Sequence, residues 1–423
     1  VLTNKGILHS HSKITFALFS SDENDHFLPP NVGIASLIQR ASLKVGTKTL
    51  QEIDGYNYLT AYKSLFISNE HQKQSGKSIA HEFIYANRAT TNGGADNDTR
   101  AEGYGLSNGK DYDDSVANDL RVPDWASIKN DPTWQISLSD LFPMLKQTQL
   151  PLYMMKEQVS VELTFAPLQD RCQSASGVAV ADFFIDQTET KFIADYIYYP
   201  QEIMDAYAAQ NRVININHFD YRHSKVSVSA TTAASTQIRN LGGANRIVTK
   251  VITGVQADAG VGGFQSSALG PFHAMCPEVD YVLGSGAGSN GVTTYNIKYN
   301  DRFLYPIDVV NNARHFHNTA QAEGVPPMVT REEYSAEGTA LSTAEYMGYQ
   351  QDEGTRAEGR GLTGRFGWQG FRLNRNERVN SRGLELYYKF ATLDDGLPYV
   401  QRSWLELAKT TSIIDGYVTT QLM

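Results

Sequence analysis

Two short segments of this chain return, in the same order and at similar spacing, in its second half. His11-Ser12-Lys13-Ile14 is answered by His223-Ser224-Lys225-Val226, each opening a run of alternating apolar and polar residues. Phe165-Ala166-Pro167-Leu168-Gln169-Asp170 is answered by Phe390-Ala391-Thr392-Leu393-Asp394-Asp395, each closing such a run. The offsets are 212 and 225 residues. A chain of 423 residues is two to three times the usual domain length. The repeat therefore predicts two copies of one domain, residues 1–211 and 212–423, joined near 211–220. A third echo, Thr99-Arg100-Ala101-Glu102-Gly103 with Thr355-Arg356-Ala357-Glu358-Gly359, has a different offset of 256 and carries less weight.

The repeated unit reads as β. Lys13 to Leu18, Ala41 to Gly46, Ile247 to Val255, Tyr295 to Tyr299, Leu384 to Phe390 and Ser403 to Ala408 all read as strands. Val159, Val161, Leu163 and Phe165 fall on one face of another, the period-two pattern of a strand covered on one side. The 23 Tyr, 18 Phe and 34 Gly suit pleated surfaces and turns. Helices are few: a short one near Leu138, Leu141 and Leu145, limited by Pro143, and one from Pro200 to Gln210. Long Gly-rich insertions occupy roughly 88–130, 256–292 and 320–380. Many short strands with few helices predict an all-β chain of two tandem sandwiches.

Little in the sequence carries catalytic chemistry. Gly286-Ala287-Gly288-Ser289-Asn290-Gly291 matches a dinucleotide pattern, but that pattern needs a helix next, and Val292-Thr293-Thr294-Tyr295 reads as strand. His9 with His11, and His315 with His317, would each share a face of a strand, yet neither pair has a third metal ligand at recognisable spacing. Asp394-Asp395, followed by Gly396, reads as a turn. Cys172 and Cys276 lie in different halves and in no catalytic signature. Catalytic, cofactor and metal residues are therefore expected to be none, and the chain is read as not an enzyme. Asn97-Asp98-Thr99 is a glycosylation sequon, read as an unmodified loop. With 37 basic against 46 acidic residues and a net charge of −9, direct nucleic-acid coating is not expected.

Several segments resemble the major capsid proteins of virophages and polinton-like viruses. They are Gly6 to Thr15, Asn31 to Ala41, Lys44 to Asp54, Tyr56-Asn57-Tyr58, Leu150 to Tyr153, and Val400 to Glu406 running on to Asp415-Gly416. The resemblance implies two eight-stranded jelly rolls per chain and a homotrimer with a pseudo-sixfold outline. It also implies neighbouring capsomers, minor capsid and penton proteins as partners, and in some cases an internal membrane beneath an icosahedral double-stranded DNA virus shell. Localisation would be the virion, after synthesis in the host cytoplasm. The resemblance also implies a strand and arm ahead of these segments, so the given sequence is expected to open inside the first roll. The insertions at 88–130 and 320–380 would be outer-face or trimer-contact loops. The rival reading is a β-sandwich that binds carbohydrate or a receptor, using the same aromatics for ligand.

Overall fold

The computed structural model describes residues 2, 6–20, 26–27, 33–64, 134–146, 149–167, 173–174, 183–228, 235–257, 292–310, 312–324, 368–390 and 399–423. The first half opens with an interrupted strand, β1 (Ile7–Leu8), β2 (Lys13–Phe16), β3 (Leu18–Ser20) and β4 (His26–Phe27). A hairpin of β5 (Ile38–Val45) and β6 (Lys48–Asp54) follows. Its turn places Gly46 at φ 57, a conformation that only glycine adopts without steric cost. Helix α1 (Tyr56–Ser64) comes next. Then β7 (Trp134–Ser137) runs into the single-turn helix α2 (Leu138–Leu141), where Ser137 Oγ caps the Asp140 N–H at 3.2 Å.

Strand β8 (Val159–Phe165) pairs with β5. A second interrupted strand, β9 (Gln173–Ser174), β10 (Phe183–Ile185), β11 (Lys191–Ile193) and β12 (Tyr196–Ile197), returns along the first, antiparallel throughout, from Phe27↔Gln173 to Ile7↔Ile197. Helix α3 (Gln201–Gln210) starts after Pro200, as its sequence predicts.

The second half holds β13 (Val213–Val228), β14 (Ser235–Gly242), β15 (Val248–Ala257), β16 (Val292–Tyr299), β17 (Arg302–Phe303), α4 (Asn312–Glu323), β18 (Trp368–Arg372), β19 (Leu384–Phe390), β20 (Tyr399–Ile414) and β21 (Tyr417–Leu422). Its sheets run β13-β20-β15-β18 and β14-β19-β16-β17, with β21 added beside β20. Counted along the chain, these are the first, eighth, third and sixth strands against the second, seventh, fourth and fifth. That alternation between two sheets is the jelly-roll connectivity. The first half repeats it with β11-β2-β7 and β8-β5-β6, which hold the eighth, third and sixth and the seventh, fourth and fifth places. Counterparts of β13 and β14 do not occur among its described residues. The fold is two tandem jelly-roll sandwiches.

This topology re-sorts the sequence echoes. Phe165 and Phe390 both end the seventh strand of a roll, so that echo joins equivalent positions. His11 to Ile14 leads into β2, a third strand, whereas His223 to Val226 lies in β13, a first strand. That echo is corrected: it joins strands of different place. The third echo lies outside the described residues. Its offset nevertheless approaches the 254 residues that separate the turns of the two equivalent hairpins, Val45↔Lys48 and Tyr299↔Arg302.

The interior forms two apolar clusters. One contains Val251, Val255, Tyr295, Ile297, Phe371, Leu386 and Phe390 and draws only on the second half. The other contains Phe16, Leu43, Val45, Leu50, Ile53 and Tyr62, and takes in Ile216, Tyr221, Ile252, Trp404, Ile413 and Val418 from the second half. On β8 the expected apolar face is covered unevenly: Val159 is buried, Val161 and Leu163 are partly buried, and Phe165 is 37% exposed. The reason is the neighbourhood. Its counterpart β19 lies between β14 and β16 and buries Leu384, Leu386, Tyr388 and Phe390, whereas β8 has β5 alone among the described strands.

Candidate functional site

The most built region of the molecule is the seam where the rolls meet. There β6 runs parallel to β13 through one bridge, Tyr221↔Ile53, and the two sheets continue into one of eight strands. A single bridge leaves most of the joining to side chains. Gln51 Nε2 donates to the Phe219 carbonyl at 2.6 Å, and the Glu52 N–H donates to Asp220 Oδ1 at 3.2 Å. Lys409 Nζ donates to Asp220 Oδ2 at 3.1 Å and to the Thr49 carbonyl at 3.2 Å. His223 Nδ1 stands 2.9 Å from Asp54 Oδ2, and that hydrogen bond, ahead of opposing burial, holds the Asp54 carboxyl below its ordinary value. Gly55, at φ 64, leaves room here: a Cβ would lie 3.0 Å from the Trp404 ring.

Helix α1 carries the seam deeper. Tyr62 is fully buried, and its hydroxyl reaches the space above Gly370 of β18, where a Cβ would meet it at 2.7 Å. The guanidinium of Arg402 lies over the Tyr58 ring, 4.2 Å from its centroid. Lys63 Nζ donates to Tyr221 Oη at 2.9 Å, and Tyr221 donates to Glu406 Oε2 at 2.9 Å. Thr249 Oγ1 donates to Glu406 Oε1 at 2.6 Å, while Lys250 Nζ contacts both oxygens of Glu323 at 2.9 and 3.0 Å. Two cations and two anions thus compensate each other in a poorly solvated site. Burial draws the Lys63 ammonium down to about 8. Burial also pushes the Tyr221 phenol well up. It opposes the charge of Glu406 too, but Lys250, Thr249, Lys63 and Tyr221 together keep that carboxyl below its ordinary value. The arrangement fixes one roll on the other.

Outside the seam, the large apolar side chains that are more than 45% exposed, among the described residues, fall in two places. One follows the connection between the rolls and the last hairpin: Tyr198, Tyr199, Ile203, Tyr207, Val213 and Tyr417 are each 46–58% exposed. No residue of α3 is buried. The other lies on the outer side of β14, β17 and the segment after it, with Ile238, Phe303 and Ile307 exposed by 56%, 51% and 69%. Exposed large apolar side chains grouped on one element suit sites of association.

The residues singled out from sequence fall elsewhere. His9 and His11 belong to the turn between β1 and β2, not to a strand; their rings meet edge to face at 4.3 Å, and the His11 N–H donates to His9 Nδ1 at 3.1 Å. His315 and His317 sit in α4, also not a strand, and positions two apart on a helix do not share a face. Both pairs are corrected in this respect. Among the described residues no three His, Cys, Asp or Glu side chains gather as a metal site would need. Gly286 to Gly291, Asp394-Asp395, Cys172, Cys276, Asn97, the insertion at 88–130 and most of that at 320–380 lie outside the described residues, although β16 does follow the glycine run. Sequence reasoning missed the seam. Its available signal was the charged residues inside apolar strands, Lys250, Glu406 and Lys409, which need partners when buried.

No family model and no curated protein matches the chain. Solved structures do match, over its whole length. In the cryo-EM structure of the Sputnik virophage, the matched chain is 11% identical with a TM-score of 0.53, covering 100% of this chain and 84% of that one. The crystal structure of the mavirus major capsid protein is 12% identical with a TM-score of 0.51, over 99% and 85%. A chain of the quasi-atomic model of the PBCV-1 virus capsid is 10% identical with a TM-score of 0.51, over 99% and 91%. At such identities the likeness is one of fold. The chain is a double jelly-roll protein. It shares that fold with the mavirus major capsid protein and with the matched chains of the Sputnik virophage and of the PBCV-1 virus capsid.

Proposed function

We propose that this chain is a structural protein, the major capsid protein of an icosahedral double-stranded DNA virus, acting by assembly rather than catalysis. The observation that carries the reading is the match of both rolls, end to end, to chains that form viral capsids. Three copies, each contributing two similar rolls, would give a capsomer of pseudo-sixfold outline. Such capsomers would tile a shell with minor capsid and penton proteins as neighbours, over an internal membrane where one exists. The protein would reside in the virion after synthesis in the host cytoplasm. The rolls divide at 211/212 in this reading. Support comes from the gap between α3, ending at Gln210, and β13, starting at Val213, and from a second core drawn only from the second half.

The physical logic is that a shell unit must be stiff within and adhesive without. The hydrogen-bonded seam supplies the first property, and the exposed apolar belts are suited to the second. Solution mass by light scattering, with negative-stain images of the same fractions, tests it. A mass near three times 46.9 kDa with hexagonal outlines is expected. A chain that stays monomeric at all concentrations would overturn it.

A further inference from the structure

A histidine sits where the two rolls are tied, and its partners suit only the neutral ring. His218 of β13 is 4% exposed. Its Nδ1 lies 3.3 Å from the Phe219 carbonyl and its Nε2 lies 2.9 Å from Thr411 Oγ1. A carbonyl only accepts, so Nδ1 carries the proton and Nε2 accepts from the Thr411 hydroxyl. Both ring nitrogens are thus satisfied without charge. A second proton, on Nε2, would turn the Thr411 hydroxyl away and place a cation where almost no water reaches it.

The neighbours make that cation worse placed. Lys409 of β20 is the cross-strand partner of His218, buried like it and already held by Asp220 Oδ2 and the Thr49 carbonyl. Like charges directly opposite on a sheet repel. The other charged groups on the described elements around it are engaged elsewhere. On β6, Lys48 Nζ donates to the Val418 carbonyl, Glu52 accepts from Ser42 Oγ, and Asp54 pairs with His223. Lys146 of the 3-10 turn Pro143–Lys146, which packs on β13, pairs with Asp140. Strand β21 carries no charged side chain. Burial, first, draws the His218 imidazole below its ordinary 6.5; the Phe219 carbonyl and Asp220 oppose this, and Lys409 adds to it.

The groups beside His218 are the ones that join the rolls. The Phe219 carbonyl that accepts its Nδ1–H also accepts from Gln51 Nε2 of β6 at 2.6 Å. Lys409 links Asp220 of β13 to Thr49 of β6, and Asp220 in turn accepts the Glu52 N–H. The backbone ladder adds a single bridge, Tyr221↔Ile53. A proton on His218 therefore repels Lys409 from contacts that stand in for a ladder. We infer that His218 is an acid-sensing latch: taking up a proton there loosens β6 from β13 before either sandwich unfolds. The stabilisation by the neutral ring is fully present above 6.5 and is lost as pH falls from 6.5 through the lower folded value. Asp54 responds separately, below its ordinary 3.8. The latch lies within one chain and operates whatever that chain assembles into; in a shell it would keep each unit stiff at neutral pH and pliable in acid.

Amide hydrogen exchange of the full chain, divided by the intrinsic rate at each pH, tests the latch. From pH 7 to pH 5 the protection of Thr49 to Ile53 in β6 should fall about fivefold or more, while that of β15 and β19 inside the second roll holds. His218→Gln offers an amide N–H to the Phe219 carbonyl and an oxygen to the Thr411 hydroxyl, but takes up no proton. Its seam should be equally protected at both pH values. A variant that opens at pH 5 as far as the wild type would overturn the inference. The wild-type chain decides the matter even where the variant does not fold. Seam amides as protected at pH 5 as at pH 7, or opening only together with β15 and β19, would also overturn it.

Discussion

The indole of Trp404 stacks on the imidazole of His223 with ring centroids 4.9 Å apart, and its Nε1–H donates at 2.9 Å to the carbonyl of Asp54, 350 residues earlier in the chain. Trp404 is wholly buried and heads the fully buried side chains by volume. One residue of the second half therefore fills and ties a core of the first. Trp404→Ala should cost about 3–5 kcal/mol of unfolding free energy through the cavity it leaves. Trp404→Phe keeps a ring but strands the Asp54 carbonyl, at about 1–3 kcal/mol. Urea unfolding followed by far-UV circular dichroism measures both, and a loss below about 1 kcal/mol for the alanine variant would contradict this packing.

Acid should loosen the seam at Asp54. Its carboxyl is held below the ordinary 3.8 in the folded chain, first by the His223 hydrogen bond. A depressed folded value means that the stabilisation is fully present above 3.8 and is lost as pH falls through the lower folded value. Asp54→Asn should therefore be less stable than wild type at pH 6, and the difference should shrink toward pH 2. A constant difference across an acid titration of melting temperature would show that the carboxylate charge is not involved.

Lys63 should act in the same direction, but in an alkaline window. Burial lowers its ammonium from 10.5 to about 8, although Glu406 and Glu323 favour the charge. Below about 8 the fold carries a disfavoured charge, and between about 8 and 10.5 the folded chain releases a proton that the unfolded chain keeps. This group's contribution to stability thus rises with pH across that window. Lys63→Met should remove that rise. Melting curves from pH 7 to 10.5 test it, and identical slopes for both proteins would refute the assignment.

Gly370 marks the closest approach of α1, α4 and β18. A Cβ there would stand 2.7 Å from Tyr62 Oη and 2.9 Å from Ala322 Cβ. Gly370→Ala should cost about 1–3 kcal/mol by overpacking. Adding Tyr62→Phe should recover only part of this, because the Ala322 contact remains. Full tolerance of the alanine in a urea melt would mean that the helices can shift apart freely.

On the outer surface, Ile203→Ser with Tyr207→Ser on α3 should leave folding stability within about 0.5 kcal/mol, since both side chains face solvent. Self-association or capsomer-to-capsomer contact should weaken if the belt is adhesive. Concentration-dependent light scattering identical to wild type would remove the belt from the assembly surfaces.

Much of the fold was legible in the sequence because alternation is a local signal. The strands at 159–165, 248–257 and 384–390, the helix after Pro200 and the short helix before Pro143 all follow from side-chain period and proline geometry. Histidine pairs were placed less well: His315 and His317 occupy a helix because Asn312 to Glu323 packs on β18, a tertiary choice that no two-residue spacing reveals. The echo at 212 residues failed for a related reason. Strands of different place in a roll share the same alternation, so a four-residue match cannot say which strand it is in.

By itself, the sequence determined a β-rich, internally repeated chain, since period-two patterning and turn glycines act within a few residues. Only the tertiary structure decided which of two similar hairpins is buried. Ile53 and Ile307 have the same neighbour in sequence, yet one lies under β13 and the other faces solvent. Burial depends on what else the chain brings to that edge, and no local pattern encodes the arrival of a strand from 168 residues away.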